Sequence, residues 1–190
     1  MMLKTGMVIA LWVSVATAAQ VDGILEQHNV YRCMHNADPL TYNYAMAAEA
    51  QAYADTLAAS CGGLVHDSTS ADGENLASCS TAPSPVESCA SGMDATPRWY
   101  NEVEFYVPGQ TGYSSDPDEA IGHFTQVVWK STQELGCASA QCSFQQGIWT
   151  FYKTYVVCRY SPPGNYLGQY LENVEASASK TYDECSELYG

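Results

Sequence analysis

An α+β fold is predicted by three observations. Helical periodicity is concentrated in the first two thirds of the chain and ends at Val127, strand-like alternation begins at Leu135, and no internal repeat relates the two regions. The helical segments therefore precede the strands instead of alternating with them.

The first helix is predicted over Asp22 to Tyr31, where Ile24, Leu25 and Tyr31 share a side and Asp22 stands at the cap. Asn43 then precedes an alanine-dense run in which Met46, Ala50, Tyr53 and Leu57 recur every three or four residues, ending at Gly62-Gly63. Residues 66–95 are rich in Ser, Asp, Gly and Pro and read as loop. Thr96-Pro97 reads as a cap and first helical position, opening a helix through Trp99, Glu102 and Phe105. After a second turn-rich stretch from Val107 to Gly122, a short helix carries His123, Phe124 and Val127. Leu135–Cys142 and Ile148–Tyr160 hold the β-branched and aromatic residues of an antiparallel sheet. From Gly164 onward acidic and small residues alternate, and residues 171–190 are expected to form an acidic tail held only by Cys185.

The charge balance narrows the function classes. Across 190 residues, 21 Asp and Glu oppose 7 Lys and Arg, a net charge of −14. Gripping a phosphate backbone requires clustered cations, so nucleic acid is set aside as a partner. Lys4, the apolar run Met7–Val15 and the small residues Ala16-Thr17-Ala18-Ala19 have the layout of a signal peptide over residues 1–19. No later segment reaches the roughly 18 uninterrupted apolar residues of a transmembrane span. The expectation is an exported, extracellular chain with one domain over residues 20–170.

Eight cysteines, an even set in an exported chain, favour disulfides over metal thiolates. No Asn-X-Ser/Thr sequon is present. Common catalytic templates are missing too: there is no Gly-X-Ser-X-Gly elbow, His-Glu-X-X-His helix or phosphate-cradling glycine loop. Asp116-Pro117-Asp118 fails as a calcium loop, because Ala120 and Val127 occupy positions where oxygen ligands are needed.

What remains is a set of separated segments that pair imidazoles with carboxylates: His66 after Leu64-Val65, Gly73-Glu74-Asn75-Leu76-Ala77, Trp99-Tyr100-Asn101-Glu102, and Gly122-His123-Phe124-Thr125-Gln126-Val127-Val128-Trp129. The last, with Tyr155-Val156-Val157-Cys158-Arg159-Tyr160-Ser161-Pro162-Pro163-Gly164-Asn165-Tyr166, closely resembles the signature motifs of the CAP superfamily of cysteine-rich secretory, antigen 5 and pathogenesis-related proteins. Gly-Glu-Asn-Leu-Ala and His28-Asn29 agree, and the resemblance runs from about Val21 to Tyr170.

That resemblance implies an αβα sandwich, a central antiparallel sheet between helical layers. It also implies one cavity lined by His66, Glu74, Glu102 and His123. Imidazole nitrogen and carboxylate oxygen suit zinc or another divalent cation, and two adjoining carboxylates need a compensating positive charge. Sterol-binding relatives carry an aromatic loop before the Gly-His-Phe-Thr motif. Phe105, Tyr106 and Tyr113 hold that place here, with core packing the competing role of Phe105 and Tyr106. Plant relatives release a signalling peptide from the region matching Pro162–Asn165, but this chain runs on past it. The functional expectation is thus a non-enzymatic lipid binder, possible in defence or host interaction, with room for an extracellular protein partner. The alternative is a metal-dependent hydrolase with Glu74 or Glu102 as general base.

The resemblance also pairs Cys61 with Cys142 and Cys137 with Cys158. For the other four, Cys33–Cys89 with Cys79–Cys185 is favoured, the alternative being Cys79 with Cys89. His28 is expected as a satisfied, partly buried helix residue and His35 as solvent-exposed.

Overall fold

The computed structural model describes residues 18–85, 92–108 and 120–189. Most of the signal segment, Cys89, Tyr113 and the rejected calcium motif lie outside these residues.

Helix α1 (Ala18–Met34) is followed by the two-residue strand β1 (Thr41–Tyr42) and helix α2 (Tyr44–Ser60). The Asn43 carboxamide caps α2 by accepting from the amides of Ala45 and Met46, and Cys61 ends it in the left-handed region. Strand β2 (Gly73–Thr81) comes next, then α3 (Gly92–Tyr100), a 3₁₀ turn over Asn101–Phe105 and α4 (Gly122–Val127). A long hairpin of β3 (Glu134–Gln146) and β4 (Trp149–Ser161) precedes α5 (Tyr170–Asn173) and α6 (Tyr182–Tyr189).

The strands form one mixed sheet in the order β1-β3-β4-β2, antiparallel except where β1 joins β3 in parallel at its start. Side-chain alternation assigns the two faces. Leu76, Ala138, Tyr155 and Val157 pack with Ala50, Ala54 and Leu57 of α2. Ala77, Cys137, Val156, Cys158 and Tyr160 enter the larger core with Trp99 of α3 and Phe124 of α4. The result is the expected αβα sandwich. Gly136 makes the α2 side possible, since a Cβ there would collide with the backbone and side chain at Met46 and Ala47.

Three expectations are corrected. Residues 66–95 contain β2, whose nine residues pair one-to-one with β4 from Gly73↔Tyr160 to Thr81↔Tyr152. The C-terminal segment is not a loose tail: Tyr170, Asn173 and Val174 are buried, and α6 packs on α1. Cys33 bonds to Cys185, displacing the favoured Cys33–Cys89 and Cys79–Cys185 pairs. Cys61–Cys142 and Cys137–Cys158 are formed, and Cys79 is also disulfide-bonded.

Candidate functional site

The 3₁₀ turn that continues α3 delivers Glu102 to the start of α4. Ile121 provides no side-chain cap for α4, so its first amides need another acceptor. Glu102 Oε2 accepts from the backbone N–H of His123 (2.8 Å) and Phe124 (3.1 Å), while Oε1 accepts from His123 Nδ1–H at 2.5 Å. One carboxylate thus caps the helix and fixes the imidazole. Trp99 stacks on the His123 ring at 6.1 Å, and Asn165 braces the same turn by accepting from Thr125 and donating to the Gly122 carbonyl.

The second pair sits at the beginning of β2. Glu74 Oε1 accepts from His66 Nδ1–H at 2.5 Å and from the Asp67 amide at 3.2 Å. Arg159 lies directly opposite Glu74 in the β2–β4 register. Its Nη2 donates to Asp67 Oδ2 at 2.7 Å, and Tyr53 covers the guanidinium at 5.3 Å. Arg159 Nη1 is 3.2 Å from Glu74 Oε2, close enough for charge pairing but not aligned as a hydrogen bond. The hydrogen bond to Glu74 raises the His66 pKa above its ordinary value. The Thr69 hydroxyl and amide, followed by Arg159, hold Asp67 down at about 2.

The four predicted residues are therefore assembled two by two. Glu74 shares strand parity with Leu76 and projects toward the α2 layer, whereas Asn75 shares it with Ala77 and faces α4. Among the described residues, no three His, Cys, Asp or Glu side chains come together as a metal-holding group. A four-ligand cage does not fit this arrangement. What does fit metal chemistry is the orientation of each imidazole, whose Nδ1–H is fixed by a carboxylate while Nε2 makes no hydrogen bond among the described residues.

A buried polar chain supports the second face. His28 Nδ1–H donates to the Ile24 carbonyl at 2.7 Å, and Nε2 accepts from Tyr160 Oη–H at 2.8 Å. Asn75 Nδ2 donates to Tyr160 Oη and to the His123 carbonyl, extending the chain from α1 to α4. His28 thus has the structural role expected of it. His35 does not have its expected exposure: it is fully buried, bonded to the Glu175 carbonyl and to Tyr100 Oη. Sequence reasoning missed Asn75, Asp67, Arg159 and Tyr160 as parts of the polar framework. The available signal was Arg159 itself, a rare cation set within the apolar run of β4.

Of the predicted ligand-contact residues, Phe105 is 41% exposed, while Tyr106 is buried against Phe124 and its hydroxyl has no hydrogen-bond partner among the described residues. Val107 follows, exposed at 63%. Tyr166 and Leu167, next in the chain after the Asn165 brace, are exposed at 51% and 78%.

A mixed sheet between helical layers, stapled by disulfides and carrying two imidazole–carboxylate pairs, defines the class of cysteine-rich secretory domains. The profile of the Cysteine-rich secretory protein family, CAP, matches residues 25–160, and the chain belongs to that family. It is 35% identical over 150 residues to a pathogenesis-related protein of PR-1 type from Sambucus nigra, covering 76% of this chain and 77% of that one. It is 37% identical over 152 residues to protein PRY2 of Saccharomyces cerevisiae, covering 80% of this chain but 40% of the yeast protein. The structure of BmVAL-1 shares the fold, with a TM-score of 0.63 at 21% identity over 86% of this chain and 84% of that one.

Proposed function

We propose that this chain is an exported, non-catalytic CAP protein that binds a sterol or similarly small lipid at an apolar rim around the Glu102–His123 pair. The observation that carries this reading is the exposure of Phe105 and Val107, just after Glu102, and of Tyr166 and Leu167, just after the Asn165 that braces the His123 turn. Removing each such side chain from water is worth roughly 1.5–3 kcal/mol, enough for a few contacts to hold a small rigid lipid. The disulfides support export, as does similarity to secreted protein RBT4 of Candida albicans, 38% identical over 147 residues that cover 76% of this chain and 35% of that protein.

Labelled cholesterol or fatty acid presented to the purified protein is expected to bind saturably. A Phe105→Ser/Leu167→Ser variant is expected to lose most of that binding while keeping its circular dichroism. Absence of saturable capture of either lipid contradicts the proposal.

A divalent cation, zinc by donor chemistry, is proposed to bind through imidazole Nε2 atoms, with Glu74 and Glu102 orienting the rings. Calorimetric zinc titration should give heat with the native chain and none with a His66→Ala/His123→Ala variant. Equal heats contradict it. Chelator-sensitive turnover of a peptide library, lost in Glu74→Ala, would instead favour the hydrolase alternative.

A further inference from the structure

The outer edge of β3 changes character along its length. The Gln133 and Leu135 carbonyls accept from the amides of Thr41 and Asn43 at 2.9 and 2.8 Å. Two residues on, Tyr42 Oη donates to the Cys137 carbonyl at 2.9 Å and accepts from its amide at 3.3 Å. At the next outward position, Gln51 Nε2 donates to the Ser139 carbonyl at 3.1 Å. Backbone groups facing away from β4 recur every second residue, so Gln141, Ser143 and Gln145 are the next three. All three are exposed, and among the described residues nothing occupies their outward N–H and C=O groups.

This open stretch lacks the devices that usually blunt a sheet edge. Between Glu134 and Lys153 there is no charged residue and no proline. The β3–β4 register also runs one-to-one from Glu134↔Ser161 to Gln146↔Trp149, with no bulge to twist the edge away. Cys61–Cys142 ties the strand to the end of α2, and Phe144 stacks on Phe151 across the hairpin at 5.4 Å, so the edge is a prepared template. In a chain of net charge −14, this stretch of the hairpin carries no charged side chain of its own to repel a second copy.

We infer that the β3 edge from Gln141 to Gln145 is a strand-addition site for a second copy of this chain, paired antiparallel about a two-fold axis at Ser143. Symmetry then places Ser143 against its own counterpart and Gln141 against Gln145. The inference is independent of lipid binding, which is proposed at the other end of the sheet.

Sedimentation equilibrium and amide hydrogen exchange on the full disulfide-bonded chain test it. The native chain should show a monomer–dimer equilibrium, with slower exchange at Gln141, Ser143 and Gln145 in concentrated than in dilute solution. Ser143→Lys puts two like charges face to face and should weaken dimerisation about tenfold or more, leaving the melting temperature of dilute protein unchanged. Because that substitution also reduces net negative charge, general electrostatics predicts the opposite sign. The inference is overturned if the native chain stays monomeric, if a dimer leaves those amides unprotected, or if Ser143→Lys associates equally well. Protection that arises only with phosphatidylcholine vesicles would assign the edge to lipid and overturn it too.

Discussion

His28 and His66 show how one residue type acquires opposite behaviour. Burial lowers the His28 pKa to about 4, despite its bond to the Ile24 carbonyl, whereas the Glu74 carboxylate raises that of His66. For His28, the unfolded chain takes up a proton first as pH falls below 6.5. Stability is therefore lost between pH 6.5 and about 4, approaching roughly 3 kcal/mol. His66 has the opposite sign: its contribution is fully present below the unfolded value and disappears as pH rises through the raised folded one. NMR titration is expected to find His28 neutral at pH 5.5 and His66 still protonated above pH 6.5. Denaturation of His28→Gln should depend less steeply on acid than that of the native chain. His28 could be read from its helical spacing beside Ile24, but burial of His35 could not. Its partners, Tyr100 and Glu175, lie 65 and 140 residues away, and no local pattern encodes contacts at that separation.

At the scale of elements, legibility followed the source of stability. Helix α2 was readable because its alanines, Asn43 cap and apolar spacing are local signals. Strand β2 was hidden because Gly73-Glu74-Asn75 and Ser78-Cys79-Ser80-Thr81 lack a clear alternating pattern; its place is set by register with β4. Helices α5 and α6 were hidden for a related reason. Asn173 accepts from Ser131 and donates to the Gln169 carbonyl, while Cys185 is bonded to Cys33 across 152 residues. The contact between α2 and β3 gives a direct test. Gly136→Ala is expected to destabilise the protein by about 1–3 kcal/mol through overpacking at Met46 and Ala47. Urea unfolding of this variant, with Gly63→Ala at an open position as control, reads the difference. Equal stability of the two would mean that α2 yields without cost.

Across the whole molecule, the sandwich brings the two imidazole–carboxylate pairs to the start of strand β2, one through Glu74 and the other through the His123 carbonyl that Asn75 holds. The motifs named all four residues, but their spacing could not say how they would be divided. The hydrogen bonds decide that, joining His66 to Glu74 and His123 to Glu102. Exposed Phe105 and Val107 follow Glu102, and exposed Tyr166 and Leu167 follow the Asn165 that braces the His123 turn, so the central claim is that the Glu102–His123 pair marks where lipid binds. The most direct measurement is a cholesterol titration followed by NMR of the imidazole and methyl resonances. The predicted result is saturable movement of His123, Val107 and Leu167 signals with His66 unchanged. Movement confined to His66 and the α2 layer, or no movement at saturating cholesterol, would contradict the account.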